Sequence, residues 1–452
     1  MSTTVKIGVI GAGSAQFSLG LVKDLCLTES LAGSQVCFMD INRERLEMIH
    51  KLAARYAAEL GADLRLESTD DRKVALQESD FVINLAFVKG HHHSRAMREL
   101  TAKHGYYYGG VGLGSYYQLR LMLDVARDME EVCPDAWLIQ SGNPVFAGCT
   151  LMTRETGVKV CGLCHGHYGV YGIAQTIGIE DPERITWQAP GLNHNIWLTH
   201  FIYEAKDAYP LIDDWIRTKG EEYWRTHVAT HGHDIQMSRG AVHQYRMYGL
   251  FPVGDTPRGR GWWYHTDIGT KKHWFGEPFG GPDTELVRPI FVANLEKRIA
   301  EMTRLANDPK ASLVEAFGST KTREQQVPIM DGLVNDNEGQ FQVNVPNRGA
   351  LEGLPDDVVV EVPAIVNKKG IQPLRVGSLP SKIMLECILP GWLRMERGLV
   401  AFENGDRSML LWNALESHQT RSYDQAVAVL EDLLAMEGNR EMNEHFKFPS
   451  NW

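Results

Sequence analysis

The stretch Val5-Lys6-Ile7-Gly8-Val9-Ile10-Gly11-Ala12-Gly13-Ser14-Ala15 decides the fold. Residues 5–10 are a short, β-branched apolar run, and 18–27 carry apolar side chains at helical spacing. Between them lies a glycine turn. A strand, a Gly-x-Gly turn and a helix in that order build a dinucleotide site. The first glycine permits the tight turn, the second lets the backbone approach a pyrophosphate, and the helix N-terminus faces its charge. Gln16 stands where a third glycine is usual, but Asp40 closes a second apolar run at 36–39, about where a ribose-binding acid is expected. Its carboxylate would accept from ribose hydroxyls and repel a 2′-phosphate. That favours NAD over NADP, although Arg43 and Arg45 follow closely and weaken the preference. A bare glycine turn with a helix-capping aspartate is the plainer alternative, and the strand–turn–helix–strand order argues against it. The expected cofactor contacts are Gly11, Gly13, Ser14, Ala15, Asp40 and Asn84.

Working outward, a long helix is expected over 43–60 and strands over 64–67, 81–87, 137–140 and 158–163, with a helix over 118–132. Strands alternating with helices at this spacing mean right-handed crossovers and a parallel sheet. The reading is an α/β chain with a Rossmann-type domain over 1–195. A mixed α+β domain for substrate, metal and oligomerisation is expected over 196–452. In it, helical segments are expected near 210–229, 234–248, 284–306, 379–402 and 423–436. Two strand-like runs, 340–345 and 357–362, each end at a proline. This half is expected to pack against the sheet's carboxyl edge.

The 452 residues carry a formal charge of −11, which argues against nucleic-acid or anionic-membrane partners. No run is long and apolar enough for a bilayer span, and the first residues run into a strand without an export signal. The 7 cysteines are odd in number and scattered, as expected of reduced thiols in a cytoplasm.

Ligands of open parallel sheets bind beyond the carboxyl ends of the strands. Three features fall there: Asn84, Asn143-Pro144 and Cys164-His165-Gly166-His167. A thiolate and an imidazole are good ligands for a divalent transition metal. His194, in Gly191-Leu-Asn-His-Asn195, offers a further donor, and Cys164 with His194 would leave positions open for substrate oxygens. From spacing alone, a purely structural Cys–His pair is the commoner outcome.

The motifs Gly11-Ala-Gly-Ser-Ala15, Phe38-Met-Asp40, Asn143-Pro144, Cys164-His-Gly-His167, Gly191-Leu-Asn-His194, Gly254-Asp-Thr-Pro-Arg258, Val343-Asn-Val-Pro-Asn347 and Val358-Val-Val-Glu-Val362 span nearly the whole chain. Together they resemble glycoside hydrolase family 4, the NAD- and divalent-metal-dependent glycosidases, whose Rossmann domain is related to lactate and malate dehydrogenases. The resemblance implies a metal, typically Mn2+, on Cys164 and His194. The Cys-His-Gly form looks like the unphosphorylated α-glycoside branch, with an α-glucosidase placed slightly ahead of an α-glucuronidase. The implied chemistry is oxidation at sugar C3 by NAD+, loss of the C2 proton, elimination of the leaving group, water addition and return of the hydride. It differs from the two-carboxylate route of most glycosidases.

Asp255 is the implied base, with Tyr245 or Tyr248 as the alternative, and His165 is the candidate acid or, equally, a donor orienting the thiolate. Asn143 and Arg258 are the implied substrate contacts, Arg258 alternatively forming a surface ion pair. A uronate would want a cation near C6, for which Lys89, Arg95 and Arg260 are loop candidates. His91-His92-His93 is expected in a loop at the cofactor cleft, and Tyr106-Tyr-Tyr108 and Trp262-Trp263 could stack on sugars or pack helices. Relatives assemble as dimers or tetramers. A plain NAD-dependent dehydrogenase is the rival, and a non-catalytic NAD sensor a more remote one.

Overall fold

A computed structural model of the chain describes residues 2–15, 17–106, 115–259, 261–417 and 419–449. The six strands of the first half are β1 (Lys6–Ile10), β2 (Gln35–Met39), β3 (Arg65–Thr69), β4 (Phe81–Asn84), β5 (Trp137–Gln140) and β6 (Lys159–Gly162). They pair in parallel in the order 3-2-1-4-5-6. Helices Ser18–Cys26, Arg43–Glu59 and Tyr116–Val132 cross between them. The central strands read as near-continuous apolar runs because helices cover both faces of the sheet. Asn42 starts the second of these helices by accepting the Arg45 amide at 3.0 Å.

The later strands are β7 (Ile185–Gln188), β8 (Gly191–Leu192), β9 (Asn195–Leu198), β10 (His200–Tyr203), β11 (Lys206–Asp207), β12 (Phe251–Val253), β13 (Gly339–Pro346), β14 (Val359–Asn367) and β15 (Gly370–Pro373). The second half also extends the sheet itself: β13 lies beside β6, followed by β14, β8, β9 and β12. Strand β14 also runs on through Pro363, where the sequence had suggested an end. Opposite it, the Gln342 carbonyl accepts from Gln325 Nε2 at 2.9 Å, so the donor that proline lacks is not missed. Conversely β4 stops at Asn84, whose Oδ1 accepts the Ala86 amide at 3.1 Å and turns the chain. His91–His93 then begin a helix, Gly90–Lys103, instead of lying in a loop. One apolar core runs under both halves, joining Val9, Phe38 and Tyr56 to Trp197, Val343 and Val362.

Candidate active site

The glycine turn is built as its residues require. Gly11 adopts φ 80°, and the amides of Gly11 and Ala12 both donate to the Met39 carbonyl at 2.9 Å. The Gly13 amide donates to Asp40 Oδ2 at 2.8 Å, and the Asn42 amide to Oδ1 at 2.8 Å. A Cβ on Gly13 would stand 2.7 Å from Asp40 Oδ2, so this close approach needs glycine. Helix Ser18–Cys26 starts behind the turn without a side-chain cap. Its N-terminus, the turn and the Asp40 carboxylate form a cradle that fits a dinucleotide.

The turn also adjoins the end of β6. Phe17, between the turn and its helix, packs edge-on against His165 with ring centroids 5.6 Å apart. Beside His165, half-buried Cys164 receives the Gly166 amide at 3.4 Å. Burial raises the pKa of this thiol, and the negative charges of Glu361 and Asp255 raise it further.

His194 lies in the β8–β9 turn at φ 61°, a left-handed conformation that costs a non-glycine residue about 1 kcal/mol or more. Its Nε2 is 3.3 Å from Asp255 Oδ2. Burial lowers the pKa of the ring, against the pull of Asp255. Asp255 follows β12 and is shared: Arg258 Nε donates to Oδ1 at 2.8 Å, and His233 Nδ1 lies 3.4 Å from the same oxygen. Burial by itself would raise this carboxyl, yet Arg258, His194 and His233 hold it well below the usual carboxylate range.

A thiol, an imidazole and a carboxylate thus meet where negative charge already makes the thiolate unfavourable. A divalent cation would relieve that repulsion, so the donor set fits a metal. Among the described residues no three His, Cys, Asp or Glu side chains form a ready cage.

The family model for family 4 glycosyl hydrolases matches residues 6–179, and that for their C-terminal domain matches 189–420. The chain belongs to this family. Among curated relatives it is similar to an α-galactosidase of Bacillus subtilis, 28% identical over 84% of this chain and 85% of that protein. An α-glucosidase of Erwinia rhapontici is 26% identical over 83% and 85%. Among solved structures, a 6-phospho-α-glucosidase from gut microorganisms, in complex with NAD and Mn2+, superposes with TM-score 0.78 at 17% identity, covering 97% of this chain and 99% of that one.

Within this glycosyl hydrolase, Cys164, His165, His194, Asp255 and Arg258 come together, with the glycine turn beside them. His165 turns away from the thiol: its Nε2 meets Glu324 Oε2 at 2.8 Å, and the donors to Cys164 are Gly166 and Asn193. Arg258 is no surface ion pair. Its side chain is 18% exposed and bridges Asp255 to Asp283. Asn84 is fully buried, its Nδ2 donating to Gln140 at 3.0 Å, which makes it a support of the cradle rather than an open contact. Asn143 is exposed in the loop after β5.

The alternative bases point elsewhere: Tyr245 donates to Asp213 at 2.9 Å and the Tyr248 hydroxyl faces Cys387. Tyr106 is core, bonded to Thr420 at 2.8 Å, and Trp262 is half-exposed. Lys89 lies over the Tyr117 ring and Arg95 pairs with Glu99, while Arg260, Tyr107 and Tyr108 lie outside the described residues.

Three side chains had no assigned role in the sequence. Glu361, on β14, is 1% exposed and accepts from Asn193 at 2.9 Å; burial raises its pKa to about 7. His233 faces Asp255 from the loop before helix Arg239–Tyr248, and Asp283 receives Arg258 and Arg98. Glu361 falls inside a quoted motif. The other two carry no sequence signal beyond being charged or imidazole groups in loops.

Proposed function

We propose that the chain hydrolyses α-glycosides through transient oxidation of the sugar ring. The reading rests on the contact between Phe17 and His165, which sets the dinucleotide turn against the Cys164–His194–Asp255 group. Gly11, Gly13, Ser14, Ala15 and Asp40 would hold NAD, and Cys164 with His194 a divalent metal such as Mn2+. When bound, the pair supplies hydride exchange at sugar C3 and polarisation of the resulting carbonyl, which acidifies the C2 proton.

The chain's residues supply the rest. Asp255, kept ionised by Arg258, is available as a base at any physiological pH. Its low basicity means that it takes a proton only from a strongly acidified carbon. Arg258, fixed between two carboxylates, presents positive charge where the sugar oxygens become anionic. His165 serves as acid to the leaving oxygen, with Glu324 Oε2 orienting its ring at 2.8 Å from Nε2. Asn143 binds a sugar hydroxyl from the β5 loop. The seven free thiols support a cytoplasmic enzyme; a homodimer or homotetramer is the proposed assembly.

The test supplies an aryl α-glycoside with NAD+, Mn2+ and a thiol reductant in deuterated water. Aryl release without net NADH, with deuterium entering C2 of the sugar, is expected. Stoichiometric NADH would instead identify a dehydrogenase. Asp255→Asn should abolish the C2 exchange, and undiminished exchange would move the base elsewhere.

A further inference from the structure

Among the described residues, Arg258, His194 and His233 meet the Asp255 carboxylate, and they differ in what they can do with a proton. Arg258 Nε donates to Oδ1 at 2.8 Å, but a guanidinium has no lone pair with which to accept. His194 faces Oδ2 at 3.3 Å and is the imidazole assigned above to the metal. His233 Nδ1 lies 3.4 Å from Oδ1. The Asp255, Arg258 and His194 side chains are 15%, 18% and 32% exposed, against 63% for His233. Of the three neighbours, His233 is the one that joins the buried carboxylate to water.

The loop that carries His233 is braced on both sides of it. Asp234 accepts His227 Nε2 at 3.0 Å and the Thr230 amide at 3.1 Å, and Ile235 and Met237 are buried beneath the loop. Gln236 grips Gly254, the residue before Asp255, with both ends of its amide: Nε2 donates to the Gly254 carbonyl at 2.6 Å, and Oε1 accepts the Gly254 amide at 2.9 Å. Gly254 is in turn pressed against the Cys164 loop, since a Cβ on it would stand 2.4 Å from the Gly166 carbonyl oxygen. His233 and Asp255 are therefore held to one another through backbone next to each. A contact with so exposed an imidazole adds little to stability, and Arg258 already balances the carboxylate charge, so folding alone does not account for the bracing.

We propose that His233 relays the sugar C2 proton between Asp255 and solvent. It works through Asp255 rather than on the sugar. Asp255 takes the proton while the C2–H electron pair stays with carbon. In its Nε2–H tautomer the imidazole accepts that proton at Nδ1, which leaves a carboxylate beside an imidazolium, and water then takes a proton from the exposed ring. Return of a proton to C2 retraces the path. The inference rests on the glycosidase reading above and adds to it the route by which solvent hydrogen reaches C2.

The experiment hydrolyses an aryl α-glycoside with NAD+, Mn2+ and reductant in deuterated water and reads, by NMR, the deuterium at C2 per molecule of sugar released. Because this is a ratio, a merely slower variant does not alter it. In the wild type deuterium should accompany nearly every turnover and be indifferent to added imidazole. His233→Gln, checked by circular dichroism for native folding, should hand the original proton back to C2 and lower the deuterium content by roughly 10-fold. Free imidazole at constant pH should restore it, and His233→Asn should behave alike. Wild-type deuterium content in the variants, a loss that imidazole does not restore, or a wild-type content that climbs with imidazole overturns the relay. Folded variants that form no product even with imidazole also overturn it. If the wild type releases no aryl group, the glycosidase reading fails and takes the relay with it; release with C2 exchange unchanged in both variants removes the relay alone.

Discussion

Replacing Gly11 with alanine tests the cradle directly. The added Cβ would stand 2.4 Å from Ala86 Cα and 2.5 Å from Ala86 N, about 1 Å inside ordinary contact. Neither side yields easily. The amides of Gly11 and Ala12 are both held by the Met39 carbonyl, and the Ala86 amide is held by Asn84. Overpacking of this kind costs about 1–3 kcal/mol, and alanine at φ 80° adds about 1 kcal/mol. Relief requires the turn to move away from β4, which also displaces Gly13 and Asp40. If about 2 kcal/mol of that distortion falls on the bound state, NAD+ affinity weakens by roughly 30-fold. The assay is the rise in Tm with NAD+ concentration, read for both proteins, because a ligand stabilises in proportion to the logarithm of its saturation. Gly11→Ala should begin to respond only at correspondingly higher NAD+. A variant with affinity within about twofold of wild type would mean that the dinucleotide does not use this turn.

Two further outcomes follow from the geometry. Cys164→Ser replaces a soft ligand with a poor one and should reduce metal-dependent glycosidase turnover to background while NAD+ affinity, read by fluorescence, stays near wild type; loss of NAD+ binding would contradict the placement of Cys164. His91, stacked on Phe87, has its pKa lowered to about 4 by burial and by the Arg288 and Arg45 charges, so the unfolded chain binds more protons between about 6.5 and 4. The stability it confers is complete above that window and lost as pH falls through it. His91→Phe should therefore flatten the acid side of a Tm-against-pH curve, and an unaltered slope would show that the ring titrates normally.

The first half of the fold was legible because its strands are buried on both faces. Residues 5–10, 36–39 and 137–140 therefore announce themselves as apolar runs, and the glycine turn fixes their order. Strands β8 and β12, of 2 and 3 residues, are too short for any periodicity to register, and they are the ones that frame His194 and Asp255. Helix Gly90–Lys103 was hidden by its histidines and arginines, which gave it the polarity of a loop. Within the site, Cys164, His194, Asp255 and Arg258 were identified through resemblance to relatives, since spacing alone left the Cys–His pair ambiguous. What no sequence pattern conveyed is how Asp255 is shared among Arg258, His194 and His233. Arg258 is three residues on in the same segment, but His194 and His233 reach Asp255 from separate loops.

The junction between β6 and β13 constrains how such a chain can be cut or recombined. There Asn344 pairs with Gly162, and a Cβ on Gly162 would come within 2.5 Å of Val145 and 2.9 Å of the Asn344 Cβ. A fragment ending near residue 195 would expose β6 as a bare edge, open to association with other chains. A hybrid carrying another relative's second half would have to bring an equally slim partner to this seam before its borrowed Asp255 and Glu361 counterparts could reach Cys164.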